Sequence, residues 1–191
     1  MNEKKLPDYV VFDPKTTQQM PEHKILRKEA KVLTFPLAQS DLDDIKTIEK
    51  KFDEEKNMAG LAAVQIGIKK QIIIFSCDDL SIKKFRPDLI QMMPKTIWIN
   101  PSYTGIEEEG MSEDYEGCFS VKDVVCIVKR YNKIRYKAQD INGNFIEGEA
   151  EGFLARIIQH EIDHVKGILC IDRASSYVEK EQFKKIREKY E

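Results

Sequence analysis

Apolar and polar positions between Gly152 and Gly167 recur at the interval of an α-helix. In "EGFLARIIQHEIDHVKG", at roughly 100° per residue, Phe153, Ile157, His160 and His164 share one stripe, and Leu154, Ile158, Ile162 and Val165 form a second. The two glycines bracket the run and no proline interrupts it. Only Arg156, Gln159 and Asp163 cluster on a polar strip. The helix is therefore expected to be mostly buried, with two imidazoles projecting from it.

An apolar stripe of Leu42, Ile45, Ile48 and Phe52 predicts another helix from about Ser40 to Lys56, capped by Ser40 with Asp43 three residues on. Apolar, β-branched runs predict strands at "QIIIFS", "TIWIN", "VVCIVK", "KIRYKAQD" and "NFIEGEA". Asn142 and Gly143 mark the turn joining the last two as a hairpin. The N-terminal arm reads as irregular, and "DDLSIKKFRPDLIQMMPK" fits no regular element, its Met92 and Met93 expected in surface-loop packing. The charged "VEKEQFKKIREKY" closes the chain as a helix. Together these predict one α+β domain over residues 1–191, with antiparallel sheets packed around a central helix and a C-terminal helix.

That central helix carries candidate chemistry. Imidazoles four residues apart return to one helix face, so His160 and His164 can address one metal ion, with Glu161 beside the first. A catalytic site of this kind needs a third protein ligand and an open position for water. The candidates are Cys77, Cys118, Cys126, Cys170, His23 and the carboxylates. Cys77, Cys126 and Cys170 lie in apolar, strand-like runs, where free cysteine serves as a small hydrophobe. Cys118 follows a glycine in "EDYEGCFSV", between a charged loop and a strand, where a thiolate can face a cleft.

Charge and composition exclude other classes. With 31 basic and 33 acidic residues the formal net charge is −2, which argues against wholesale nucleic-acid binding. No apolar run is long enough to span a membrane, and "MNEKKLPDYVVFDPK" lacks the pattern of a signal or transit peptide. Four cysteines without a C-x-x-C pair suit reduced thiols in a cytoplasmic protein.

Three stretches in order, "GLAAVQIG" at Gly60 to Gly67, "EGCFS" around Cys118 and "HEIDH" at His160 to His164, resemble the motifs of peptide deformylases. "KILRKEA" near residue 24 and "GILCIDR" after the metal-binding helix extend the resemblance over most of the chain. The resemblance implies that Cys118, His160 and His164 hold one divalent ion and that Glu161 serves as general base and then acid. It implies Fe(II) as the native ion, with zinc, nickel or cobalt able to substitute. Gln65, through its side-chain amide, and Phe119, through its backbone N–H, would receive the oxyanion. Small residues Gly60, Ala62 and Ala63 would let a loop approach a peptide lying extended near Gly117. The implied substrates are N-formylated nascent peptides in a bacterial cytoplasm, an organelle being the alternative, with the ribosome as a partner through the C-terminal helix.

Departures from the family pattern fall at Met58, where glycine is usual, Asn57, where an acid is common, and Lys122, where proline is usual. At Val125 some members carry arginine or glycine near the substrate. Met58 and Val125 are thus expected to bear on substrate preference, and residues 78–95 read as an insertion. Two rivals to full deformylase activity stand beside this reading. One is a homologue with altered substrate, low activity or only a binding role. The other is a zinc peptidase, in which Asp172 or Glu179 would have to complete the ligand set.

Overall fold

The computed structural model describes residues 5–16, 21–56 and 58–188, so Asn57 and the last three residues of the chain lie outside the described residues. Two antiparallel sheets enclose one buried helix. The larger, in order β1-β2-β3-β6-β7, comprises Gly60–Ala62, Ile72–Cys77, Met93–Gly105, Lys133–Gln139 and Phe145–Glu151. The smaller, β4-β5-β8, comprises Met111–Gly117, Val124–Tyr131 and Ala174–Glu179. Helix α1 is Gln39–Glu54, α2 is Gly152–Val165, α3 is Cys170–Arg173 and α4 is Lys180–Glu188.

The run "IIIF" is continuous because β2 is covered on both faces. Ile73 and Phe75 face the core that α2 shares with Trp98 and the smaller sheet. Ile72 and Ile74, pointing the other way, pack with Ile45, Ile48 and Phe52 of α1.

Several expectations are corrected. Ser40 lies inside the first turn of α1, and Asp41 serves the N-terminus instead, its carboxylate accepting the Ala38 N–H at 2.9 Å. The charged stretch before Cys118 is not a loop but strand β4, paired with β5 from Met111–Tyr131 to Gly117–Val125. Its acidic composition hid it, since most of its side chains face solvent. The Gly60 segment is likewise strand β1, paired with Ile73 to Phe75. Cys170 opens helix α3 rather than a strand, because Asp172 accepts the Leu169 N–H at 2.8 Å and starts a helical turn. Strand β3 runs well beyond "TIWIN", across a register shift between Ile99 and Ser102, where Pro101 has no N–H to give the ladder. Between β2 and β3, Leu80–Lys84 forms a short 3₁₀ turn, and Met93 begins β3 with its side chain against the core.

The hairpin at Asn142–Gly143 forms as expected. Asp140 accepts the N–H groups of Asn142 and Asn144 at 2.8 and 2.9 Å, and Gly143 takes φ 88°. The polar strip of α2 is the largest surprise. Arg156, Gln159 and Asp163 are buried along with the apolar stripes, because each meets a partner inside the fold. Among the described residues no helix is long and apolar enough to cross a membrane.

Candidate metal centre and cleft

Helix α2 carries His160 and His164 to one point, and the turn after β4 brings Cys118 to the same point. The Nε2 atoms of the two histidines lie 3.1 Å apart, and Cys118 Sγ lies 3.3 Å from His164 Nε2. One ligand atom from each residue falls within 4.8 Å of the others. Three lone-pair donors crowded together inside a fold are what a cation satisfies, and one thiolate with two imidazoles is a set that divalent transition metals accept. The residues present therefore fit a metal ion.

Glu116 orients the first histidine. Its carboxylate lies 2.9 Å from His160 Nδ1, and it also takes Arg130 Nε and Nη2 at 2.9 and 3.0 Å and Arg156 Nη1 at 2.9 Å. Burial alone would raise the Glu116 pKa, but its bonds to His160 and Arg130 win and hold it well below the usual carboxylate range. An ionised carboxylate can only accept, so His160 Nδ1 bears the proton and Nε2 is left facing the ligand cluster. Arg130 bonds Asp163 as well, and Asp163 takes Arg173 Nη2 at 2.8 Å. This buried chain of charges explains why the polar strip of α2 is inside.

Glu161 faces the cleft, 3 % exposed, and its Oε2 has no partner among the described residues. Burial lifts its pKa to about 7, against the pull of His160. In the metal-free protein burial pulls His160 down, but the bond to Glu116 and the Glu161 charge outweigh it and lift His160 to about 9. His164 is pushed well below its ordinary value by burial and by His160. The neighbouring Cys170 sulfur and burial raise the Cys118 thiol, while the Ser120 N–H, 3.3 Å from Sγ, favours its thiolate.

Gln65 is fixed at both ends. Its Oε1 accepts the Ala62 N–H at 2.8 Å, which leaves Nε2 directed toward Cys118 Sγ at 3.6 Å. The N-terminal arm ties the two motif segments together, Val10 N–H donating to the Gln65 carbonyl at 2.8 Å and Phe12 N–H to the Ser120 carbonyl at 2.9 Å. Tyr9 of that arm stacks on Phe119, with centroids 4.9 Å apart.

A cleft of about 360 Å³ opens onto these groups. Met58, Gly60, Gln65, Gly117, Cys118, Phe119, His160 and Glu161 all line it. His164 lies behind them, 1 % exposed. Val125 is not brought to the cleft wall: it is buried in β5 with backbone partners Gly117 and Val178. Lys122 is half-exposed and pairs with Asp13 at 3.3 Å. Sequence reasoning missed Glu116, Arg130 and Arg86, which also belong to the cleft or its support. An acid directly before the Gly-Cys pair was the available signal for Glu116. Of the acids a zinc peptidase would need, Asp172 is bonded to Arg27 and Leu169, and Glu179 to Lys15.

A thiol and two imidazoles set beside a carboxylate that titrates near neutrality, at the floor of an open cleft, make the site of a metal-dependent hydrolase on an α+β scaffold. Residues 15–180 match the polypeptide deformylase family, and the chain belongs to it. It is 52 % identical over 189 residues to peptide deformylase 2 of Rickettsia conorii, spanning 96 % of this chain and 92 % of that one. It is 32 % identical over 185 residues to a peptide deformylase of Brachyspira hyodysenteriae, spanning 96 % and 88 %. The crystal structure of peptide deformylase from Thermotoga maritima superposes with a TM-score of 0.69 at 28 % identity, covering 91 % of this chain and all of that one. An actinonin-bound deformylase from Acinetobacter baumannii gives 0.69 at 25 % identity, covering 90 % and 100 %. The chain is accordingly an enzyme that removes the N-formyl group from nascent polypeptides.

Proposed function

We propose that Cys118, His160 and His164 hold one divalent ion per chain and that Glu161 and Gln65 carry the proton transfer and the oxyanion contact of deformylation. The observation that bears most weight is the partnerless Oε2 of Glu161, buried beside the ligand cluster on the wall of the cleft. An ion held there supplies Lewis acidity and lowers the pKa of a water bound to it.

The residues of the chain do the rest. A formyl peptide lies extended along β4 near Gly117 and beside Gly60 of β1, with its formyl carbon next to the ligand cluster. Glu161 takes a proton from the attacking water at Oε2, and a pKa near 7 suits a group that must then give it up again. It delivers that proton to the leaving amine, so that formate and a free amino terminus result. Gln65 Nε2 and the Phe119 N–H donate to the carbonyl oxygen as it gains charge. The formyl carbon bears only hydrogen, so the narrow space between Gly60, Gln65 and Glu161 admits it and excludes larger acyl groups. Met58 borders the cleft while packing on the α1 core, and Val125 acts on the substrate only through Gly117.

The resident ion is Fe(II), a reading supported by the motif resemblance, with Zn(II), Ni(II) and Co(II) accepted by the same donors. The enzyme works in the bacterial cytoplasm, and α4, a charged helix in which Lys180, Lys184 and Lys185 alternate with Glu181 and Glu188, is the segment that docks on the ribosome. Elemental analysis tests the ligand set. One ion per chain is expected in the parent, and full metal content in both Cys118→Ser and His160→Ala would overturn it.

A further inference from the structure

We infer that Arg86 is a specificity-determining residue, forming with Phe153 the wall that receives the end of the peptide's first side chain. The inference rests on the placement of the formyl group proposed above.

Arg86 comes from the segment between β2 and β3, and that segment is fastened to the start of α2. The Asp88 carbonyl accepts the Phe153 N–H at 2.9 Å. Gly152, at φ +60°, makes room for it, since a Cβ there would stand 2.2 Å from that oxygen. Gln91 spans the neighbouring strand, giving Nε2 to the Glu149 carbonyl and taking the Glu151 N–H, both at 3.1 Å. Leu89 is buried beneath, and the Arg86 backbone bonds Ile82 and Leu89 at 2.9 Å each. The residue is thus held by the same helix that carries the histidines.

Its head group is held as firmly. One guanidinium nitrogen meets Asp114 and the other Asp88 at 2.7 Å, while Cζ stands 4.2 Å above the Phe153 ring. The two carboxylates more than offset the single positive charge, so Arg86 offers an acidic side chain no net attraction, and its buried Nε has no partner among the described residues. Both Arg86 and Phe153 line the cleft.

The distances along α2 fit a particular occupant. Phe153 lies seven residues before His160, about 10 Å along the helix at 1.5 Å per residue. From a formyl carbon near His160, the path through nitrogen, Cα and a methionine side chain to its methyl reaches roughly 7–8 Å when extended. Contact between carbon atoms adds about 3.5–4 Å. A methionine methyl therefore meets the Phe153 ring, where sulfur and aromatic groups attract. An alanine falls short, and a bulkier ring runs into the guanidinium lying over Phe153.

The test compares the parent with Arg86→Ala and Arg86→Lys at equal Ni(II) content, on formyl-Met, formyl-Phe and formyl-Ala peptides. Calorimetric Kd values for Met-Ala-Ala and Phe-Ala-Ala are measured in parallel. Arg86→Ala should lower the Met-over-Phe ratio of kcat/KM by about tenfold, the scale of one methylene's worth of discrimination. The change should lie in KM, and the Kd ratio should move with it. Arg86→Lys keeps an ion pair but cannot lie flat on the ring, so its ratio should fall between the two. Unchanged ratios in both active variants would overturn the inference. An inactive, metal-loaded parent would instead overturn the proposed placement of the formyl group, and the Kd ratio would then decide on Arg86 alone.

Discussion

Gly60 and Glu161 are in close contact: a Cβ on Gly60 would stand 2.4 Å from Glu161 Oε1 and 2.7 Å from its Cδ, so a side chain there fits only if the carboxylate moves. The first residue of the "GLAAVQIG" run thus sets the position of the carboxylate in "HEIDH". Gly60→Ala should push Glu161 aside while leaving the ligands in place. A misplacement of about 1 Å can cost on the order of 100-fold in rate. Steady-state kinetics at matched metal content should show that loss in kcat, whereas an unchanged kcat would mean that Glu161 has room to spare.

Gln65 donates its Nε2 toward the site because Ala62 N–H occupies its Oε1. Gln65→Leu removes a donor that matters most once the carbonyl oxygen is charged. The expected loss is roughly 10²-fold in kcat with KM little changed. An effect confined to KM would reduce Gln65 to a group that positions the substrate.

Glu116 links acid stability to the site. Its folded pKa is depressed, so its contribution is present above the unfolded carboxylate value and lost as pH falls through that range toward the folded value. Removing its charge leaves the buried Arg130 with Asp163 as its remaining carboxylate, and breaking one buried pair costs up to about 3–5 kcal/mol. Metal-free Glu116→Gln should therefore be less stable than the parent near pH 7, by no more than that amount. The gap, followed by urea unfolding, should narrow as pH is lowered below about 4. A gap that stays constant with pH would mean that the charge of Glu116 is not what stabilises the fold.

Metal binding should release protons. In the metal-free protein His160 stays protonated below about pH 9, and the Cys118 thiol is raised as well. Both must lose a proton to bind an ion, so apparent Zn(II) affinity should rise by up to about 100-fold per pH unit between pH 6 and 8. Competition with a chelating dye measures it, and a flat profile would remove one or both residues from the ligand set.

Much of this was readable from the chain. The spacing in "HEIDH" and the flanking glycines sufficed for α2, because helical periodicity needs only local information. The hairpin at Asn142 was legible for the same reason. Strand β4 was not, since its acidic residues satisfy no apolar alternation and its partner β5 lies beyond the Cys118 turn. Arg156 and Asp163 looked like a solvent face, because burial of a charge depends on partners such as Glu116 and Arg130 that only the fold brings near. Arg86 sat in a stretch without periodicity, and its role rests on contacts with α2 far along the sequence.

In the proposed mechanism Glu161 moves the proton at a site held by Cys118, His160 and His164. The direct measurement is formate release from a formyl-methionyl peptide by anaerobically Ni(II)-loaded parent and Glu161→Ala, with metal content determined on the same samples. The parent should turn over, and the variant should keep one ion per chain while losing about 10²- to 10⁴-fold in kcat. Near-parental turnover by the metal-loaded variant would contradict that role for Glu161.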